Sequence, residues 1–287
     1  MVKEIAIISG KGGTGKTSVV AGFASLAENI ILADCDVDAP DLHILLQPDI
    51  KKTEEFQSSK VAQLNPALCT ECGLCEEHCR FNAAHPPEID SISCEGCGVC
   101  EYVCPEGAIQ MVDKISGHLF ESRTRFGPMS HAKLLPGEGN SGLLVTEVRK
   151  QGEELARSHH SDIILIDGSP GIGCPVIATI RSIDLAIIVT EPTMSGIHDM
   201  SRVLQLADRF NVPSTIIINK YDLSESNTQR ITDFCNENNL PLLGKIPFDP
   251  IVTKSMLDAK TLPEHAPTHA ISLLMKEMWD DVIQMVL

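Results

Sequence analysis

Cysteines form the most regular chemical pattern in this 287-residue chain, because eight of its eleven cysteines lie in one short stretch. Two groups share the spacing CxxCxxCxxxC, and the second repeats the first after 25 residues. Such a repeat rarely arises by chance and indicates two equivalent binding units. Thiolates bind soft metals, and the chain starts without a secretion signal, so the pattern predicts metal ligation rather than disulfides. The two groups are Cys69, Cys72, Cys75 and Cys79, and Cys94, Cys97, Cys100 and Cys104.

The spacing resembles that of bacterial ferredoxins that hold two [4Fe–4S] clusters, and Pro105 after the last cysteine fits the same pattern. In those proteins, the fourth cysteine of each group binds the cluster of the other group. Two zinc ions are the alternative, since CxxC pairs also form tetrahedral sites, but the tight triple spacing favours clusters. The resemblance implies one cluster on Cys69, Cys72, Cys75 and Cys104 and a second on Cys79, Cys94, Cys97 and Cys100.

A glycine-rich segment, GKGGTGKT from Gly10 to Thr17, indicates a second kind of chemistry. It matches the pattern GxxxxGK(S/T), in which backbone N–H groups surround phosphate oxygens and the lysine neutralises the β- and γ-phosphates. An apolar run precedes it and a helical segment follows it, as such a loop requires. We therefore expect Lys16 to bind the phosphates of ATP or ADP and Thr17 to bind Mg²⁺. The other residues expected to contact the nucleotide are Gly10, Lys11, Gly12, Gly13, Thr14 and Gly15.

Two acidic motifs each follow an apolar run of strand type. The segment DCDVDAPD starts at Asp34, and the segment IILID ends at Asp167 before a Gly- and Pro-rich turn. Parallel sheets bind ligands at the carboxyl ends of their strands, so both motifs are expected near the glycine-rich loop. Asp167 is expected to hold Mg²⁺ through water. The other carboxylates of the first motif could equally belong to a solvated turn.

The loop KGGTGKT, with its additional Lys11, resembles the deviant phosphate loop of MinD, ParA and the nitrogenase iron protein. In that family the first lysine reaches across a dimer to the partner's nucleotide, so the resemblance implies a nucleotide-dependent homodimer. It also implies that Asp36 positions Mg²⁺ and the attacking water, and that the chain is a slow, partner-regulated ATPase. Asn219 and Pro247 resemble the family's adenine-contacting residues, with a simple turn residue as the alternative for Asn219.

Strand-like and helical segments alternate on both sides of the cysteine stretch, which predicts a doubly wound, mostly parallel α/β sheet. The cysteine stretch differs in composition, because residues 61–113 carry nine Asp or Glu against the single Arg80. We predict a P-loop ATPase domain in two parts, 1–60 and 114–287, with an inserted α+β ferredoxin-like domain at 61–113. Residues 116–142 are expected to form a hairpin or a loop.

The net charge of −16 disfavours direct binding to nucleic acid or anionic lipid, which relies on clustered Lys and Arg. No apolar run approaches the roughly 18 residues of a membrane span, so we expect a cytoplasmic protein without stable membrane insertion. Cys174 lies seven residues after Asp167, where the nitrogenase iron protein has a cluster ligand. No second cysteine matches that arrangement, so Cys174 is expected to be a buried packing residue, like Cys35 and Cys235.

Together the motifs favour an ATP-gated iron–sulfur protein in which hydrolysis controls electron transfer to an unidentified redox or metallocofactor protein. The insert follows soon after Asp36, so movement of that segment could reach the clusters. Two alternatives stay open. One is a positioning or assembly ATPase in the style of MinD and ParA, whose clusters are structural or redox-sensing. The other is a scaffold that donates clusters, although the chain lacks a separate C-terminal CxxC.

Overall fold

The computed structural model describes residues 2–287, which form eleven strands and eleven α-helices. The strands are β1 (Lys3–Ser9), β2 (Ile30–Asp34), β3 (Asp49–Leu64), β4 (Ala84–His85), β5 (Glu88–Ile89), β6 (Ile109–Arg123), β7 (Pro128–Leu134), β8 (Ile163–Pro170), β9 (Leu185–Thr190), β10 (Ser214–Asn219) and β11 (Leu242–Ile246). The helices are α1 (Lys16–Leu26), α2 (Leu42–Leu46), α3 (Leu74–Glu77), α4 (Val99–Val103), α5 (Ser141–His159), α6 (Cys174–Ile180), α7 (Met194–Arg209), α8 (Glu225–Glu237), α9 (Pro250–Leu257), α10 (Leu262–His265) and α11 (Ala270–Val286).

The chain divides into two compact units. The first comprises the residues up to Glu54 together with Leu119–Lys133 and Ser141–Leu287. The second comprises Glu55–His118 and Leu134–Asn140. Among residues 2–287, no helix has both the length and the apolar character needed to cross a bilayer.

A large sheet organises the first unit, with the strand order β11, β10, β9, β1, β8, β2, β7 and then β6. From β11 to β7, neighbouring strands pair in parallel. Residues 5–8 of the central strand β1 are all fully buried, so both faces of that strand are covered. The predicted parallel-dominated α/β sheet is therefore confirmed.

Helices with small or aliphatic residues cover this sheet. Phe23 of α1 packs against Trp279 of α11, with ring centroids 5.4 Å apart. Met275 and Val282, on the same face of α11, are also buried in this core. The last helix is thus held on the first unit by apolar contacts at helical spacing.

The predicted hairpin or loop at residues 116–142 contains a hairpin. Strand β6 ends at Arg123 and β7 begins at Pro128, and the Thr124 N–H donates to the Gly127 carbonyl over 2.9 Å. Strand β3 has 16 residues and β6 has 15, so the domain boundaries predicted at 61 and 113 fall inside continuous strands. The amino-acid composition therefore changes partway along each strand, although the strand itself continues without a break.

The second unit keeps the 25-residue repeat in its structure. Helices α3 and α4 are equivalent, and each follows a glycine with positive φ, 79° at Gly73 and 77° at Gly98. Strands β4 and β5 form a small antiparallel pair. The interior consists of Ala62, Cys75, Ala84 and Ile109, with further cysteines packed against them. Few large apolar side chains therefore hold this unit together.

Candidate functional site

The glycine-rich loop joins β1 to α1 at the carboxyl end of the central strand. Gly15 precedes α1 with a φ of 88°, which favours glycine, and a side chain there would overlap the Asn219 amide. A Cβ on Gly10 would lie 2.5 Å from the Asp199 side chain of α7, so this position has no room for one either. At Gly12 and Gly13 a Cβ would meet no heavy atom within 4 Å, so this face of the loop is open to a phosphate group.

Lys16 is surrounded by carboxylates from both acidic motifs. Its ammonium group donates to Asp167 Oδ1 and lies 3.6 Å from Asp36 Oδ2 and 3.5 Å from the Thr17 hydroxyl. Burial alone would lower the pKa of Lys16, but Asp167 and Asp36 outweigh burial and raise it above its usual value. The structure thus brings together the four residues predicted to bind phosphate and Mg²⁺.

Asp34 joins this group, although the sequence did not single it out. It lies opposite Asp167 in the parallel pairing of β2 and β8. Burial, reinforced by the nearby charge of Asp167, raises the pKa of Asp34 well above its usual range. Burial also raises the pKa of Asp36 to about 6, against the opposing effect of Lys16. Asp38 and Asp41, from the same motif, are exposed.

The donor atoms at this site fit Mg²⁺. Within residues 2–287, the buried Asp34 Oδ2, Asp167 Oδ2 and Thr14 Oγ1 have no hydrogen-bond partner. Carboxylate and hydroxyl oxygens are the ligands that Mg²⁺ prefers, directly or through water. A buried oxygen without a partner is costly, so these atoms are consistent with an ion and its water ligands.

Backbone and side-chain hydrogen bonds join the two acidic motifs to each other. The Cys35 N–H donates to the Asp167 carbonyl over 2.8 Å, and the Ser169 hydroxyl donates to the Cys35 carbonyl over 2.7 Å. The Gly171 N–H donates to the Ser9 carbonyl at the start of the loop over 2.8 Å. These bonds connect the two acidic motifs and the loop in one hydrogen-bonded network.

Lys11 lies beside a second carboxylate, Glu191, at the carboxyl end of β9. Its ammonium group is 3.4 Å from Glu191 Oε2 and 3.3 Å from the hydroxyls of Thr193 and Ser195. Lys220 also donates to Glu191, and it lies 3.3 Å from the Gly13 carbonyl. Sequence reasoning missed Glu191, and after β10 it selected Asn219 and gave no role to the adjacent Lys220. Their positions directly after strands of the parallel sheet were the signal that could have found them.

The two predicted adenine-contacting residues follow β10 and β11. The Asn219 side-chain amide donates to the Thr14 carbonyl over 2.7 Å, which places Asn219 against the loop. Pro247 is half-buried directly after β11. The next residue, Phe248, is 52% exposed, and its N–H donates to the Asp222 carboxylate over 2.7 Å.

The eight clustered cysteines line two cavities in the second unit. One cavity is lined by Cys69, Cys72, Cys75 and Cys104, and the other by Cys79, Cys94, Cys97 and Cys100. Among residues 2–287, no three His, Cys, Asp or Glu side chains converge closely enough to hold a single metal ion.

Backbone N–H groups point at several of the sulfur atoms. The Ala83 N–H donates to Cys79 Sγ, and the Ala108 N–H donates to Cys104 Sγ, each over 3.3 Å. These two bonds are equivalent in the repeat, because each joins a fourth cysteine to the residue four positions later. Such bonds stabilise negative charge on sulfur and so suit thiolate ligands.

The three remaining cysteines lie outside the cavities. Cys35 and Cys235 are buried, in line with a packing role. The expectation that Cys174 is buried was wrong, because it is exposed at the first position of α6. That short helix buries Val176, Thr179 and Ile180, and the side chain of Cys174 lies outside this face.

Comparisons with known proteins agree with this arrangement. The profile of the CobQ/CobB/MinD/ParA nucleotide binding domain matches residues 5–262. An uncharacterised protein of Methanocaldococcus jannaschii is 34% identical over 230 residues, which cover 79% of this chain and 81% of that protein. The iron-sulfur cluster carrier protein of Pyrococcus abyssi is 22% identical, over 86% of this chain and 74% of the carrier. The septum site-determining protein MinD of Pyrococcus horikoshii, solved with Mg-ADP, has a TM-score of 0.61 at 20% identity, covering 98% of this chain and 96% of that one.

Proposed function

The chain belongs to the CobQ/CobB/MinD/ParA nucleotide-binding family, and from that premise we propose that it is an ATPase holding two [4Fe–4S] clusters. ATP binding and hydrolysis control electron transfer from these clusters to a partner protein. Nucleotide and Mg²⁺ bind at the glycine-rich loop of the first unit, and the clusters bind in the second.

The observation that carries the proposal is the division of the eight cysteines between the two cavities. Each cavity is lined by three cysteines of one group and the fourth cysteine of the other. This is the exchange of ligands that the spacing implies for a two-cluster ferredoxin. Linear order along the chain would instead have placed Cys79 with Cys75 and Cys104 with Cys100.

Residues of the first unit supply the chemistry of hydrolysis. Lys16 exchanges its carboxylate partners for the β- and γ-phosphates, which carry more negative charge. Thr17, Asp36 and Asp167 would hold Mg²⁺, directly or through water, and its positive charge would balance these carboxylates once Lys16 faces the phosphates. Asp36, whose pKa is raised to about 6 mainly by burial, is half-buried and able to orient an attacking water.

Residues of the second unit hold the clusters by their thiolates and by N–H donors such as those of Ala83 and Ala108. A bound [4Fe–4S] cluster supplies one-electron transfer. Cys72 and Cys97 are exposed, one in each cavity, so each cluster has a side that a redox partner can approach.

Continuity of the chain provides the route between nucleotide and cysteines. From Asp36 the chain passes through α2 into β3, and Ala62 and Leu64 near the end of β3 line one cavity each. Strand β6 begins at Ile109, which lines the first of these cavities. On this proposal, movement of the segment around Asp36 on hydrolysis passes along the chain towards the cysteines.

Anaerobic purification tests this function. Iron and sulfide contents near eight each per chain and an EPR signal on reduction are expected, about four of each per cluster. The ATPase rate is then measured with the protein oxidised and reduced, and a difference between the two rates is expected. A chain that contains zinc and no iron would contradict the clusters, whereas equal rates would contradict only the coupling.

A cluster carrier is the second candidate, because relatives such as the Pyrococcus abyssi protein bear that name. The exposed Cys72 and Cys97 also make the clusters accessible to an acceptor protein. Incubation of the loaded protein with an apo-ferredoxin distinguishes the two functions. Rapid, ATP-dependent appearance of holo-ferredoxin favours a carrier, whereas clusters that stay on this chain favour electron transfer.

A further inference from the structure

Glu191 contacts the lysine that distinguishes this loop from other phosphate-binding loops. We infer that Glu191 is a positioning residue that holds Lys11 in its own chain, so that Lys11 must leave Glu191 before it acts on the nucleotide of a second copy. The inference rests on the proposed ATPase function and adds to it a step that opposes dimerisation.

Three acceptor groups surround Lys11 within its own chain. The Lys11 ammonium lies 3.4 Å from Glu191 Oε2 and 3.3 Å from both Thr193 Oγ1 and Ser195 Oγ. The Glu191 side chain is 14% exposed and that of Lys11 is 30% exposed, so solvent screens their attraction only in part. Lys11 is therefore held at a defined position beside the amino end of α7 instead of extending into solvent.

Every group that contacts Lys11 has another partner that stays when Lys11 leaves. Glu191 Oε1 accepts from Lys220, which remains in its own chain beside the Gly13 carbonyl. Thr193 Oγ1 accepts from the Gly196 N–H over 2.9 Å and lies 3.2 Å from the Ser195 hydroxyl. Departure of Lys11 thus leaves no buried charge or hydroxyl without a partner, which would otherwise be costly.

Charge explains why a nucleotide releases Lys11. Glu191 carries one negative charge and already has Lys220 as a counterion. A triphosphate carries several negative charges, and Lys11 gains more from it than from Glu191. Glu191 thus sets a threshold. Lys11 stays in its own chain until a nucleotide on a second copy competes for it.

The test compares Glu191→Gln with the unchanged protein and with Glu237→Gln, an exposed glutamate at the end of α8. Sedimentation velocity with the non-hydrolysable analogue AMPPNP measures the protein concentration at which half the chains are dimeric. We expect about a fivefold lower concentration for Glu191→Gln, because one partly buried ion pair no longer opposes the release of Lys11. Glu237→Gln is expected to match the unchanged protein.

Two further variants separate this role from a structural one. In a Lys11→Ala background, Glu191→Gln is expected to have no effect on dimerisation, since the held lysine is absent. Glu191→Asp, which keeps the charge, is expected to dimerise at nearly the same protein concentration as the unchanged protein. Binding of a fluorescent ADP analogue to each variant monitors whether the loop is intact.

Two outcomes would overturn the inference. Dimerisation of Glu191→Gln at the unchanged or a higher concentration contradicts it. An effect of Glu191→Gln that persists without Lys11 also contradicts it, because it would then act through another group. If the unchanged protein binds AMPPNP but Glu191→Gln does not dimerise at a lower protein concentration, only this inference fails. A chain that binds no nucleotide would overturn the proposed function as well.

Discussion

Lys16 and its carboxylates lie at the edge of a sheet of fully buried Ile, Leu and Val, whereas the cysteines of the second unit themselves form part of its interior. The first unit pairs opposite charges with one another, since Lys16 has carboxylate partners from both acidic motifs. In the second unit, cysteines pack beside other cysteines. We therefore expect the first unit to fold without its ligand and the second to depend on a bound metal to complete its core.

Loss of a cavity cysteine should have the largest effect, confined to the second unit. We expect Cys75→Ser to lose a cluster and to increase the rate of proteolytic cleavage within residues 55–118 by about a hundredfold, because a bound cluster would take the place of a larger apolar core. Cys75 is buried in the first cavity. Limited proteolysis with mapping of the cleavage sites by mass spectrometry is the measurement.

Cys174→Ser is the matched control, since Cys174 is exposed and outside both cavities. Its cleavage rate and iron content should equal those of the unchanged protein. Equal protease resistance of Cys75→Ser and Cys174→Ser would show that the second unit does not depend on its cavity cysteines. The expected difference in metal dependence between the two units would then be contradicted.

Loss of the buried lysine should remove activity from the first unit and leave the second intact. Lys16→Ala is expected to lower the ATPase rate by about a hundredfold, because the charge that faces the β- and γ-phosphates is lost. Iron content and the EPR signal should not change. Lys150→Ala, at an exposed lysine on α5, serves as the control. A Lys16→Ala variant with half or more of the original rate would exclude the assigned role.

A methyl group on Gly10 should destabilise the first unit by steric overlap. Its Cβ would lie 2.5 Å from the Asp199 side chain and 2.6 Å from its backbone, so loop and helix must separate. We expect Gly10→Ala to lower the free energy of unfolding by about 2 kcal/mol. Gly12→Ala, in the same loop and with nothing within 4 Å of its Cβ, should cost much less. Urea denaturation followed by the fluorescence of Trp279 reports on the first unit, and similar midpoints for both variants would refute the steric argument.

The smallest expected effect is a pH dependence that originates at Asp36. Its pKa is raised to about 6 in the folded protein, mainly by burial, and lies near 3.8 when the chain is unfolded. Between these values the folded state binds more protons, so the free energy of unfolding contributed by Asp36 falls as pH rises through this window. In the absence of nucleotide and Mg²⁺, the free energy of unfolding should be about 1 kcal/mol greater at pH 5 than at pH 7, after the corresponding difference for Asp36→Asn has been subtracted.

Urea titrations of both proteins at the two pH values provide this measurement. Because the other groups titrate in both proteins, subtraction isolates Asp36. An identical pH dependence of the two proteins would mean that Asp36 is not buried among like charges. A difference of opposite sign would mean that Lys16 dominates its environment.

Short-range patterns in the sequence were sufficient to predict much of the molecule. The spacing of the cysteines and the order of strand, glycine loop and helix around Lys16 are contained within a few dozen residues. The alternation of strand-like and helical segments could be seen because fully buried parallel strands such as β1, β2 and β9 appear as continuous apolar runs. Strand β3 was missed, since its residues are mostly exposed and polar.

Which distant residues share a site depends on how the strands pair in the folded protein. Asp34 and Asp167 meet because β2 and β8 are neighbours in register, and Glu191 reaches Lys11 because β9 pairs with β1. No local pattern contains these contacts, since they join segments more than a hundred residues apart. The same holds for Gly10, whose need for glycine comes from the approach of Asp199. Local sequence patterns thus identify the chemical groups that the chain carries, whereas strand pairing brings together those that lie at one site.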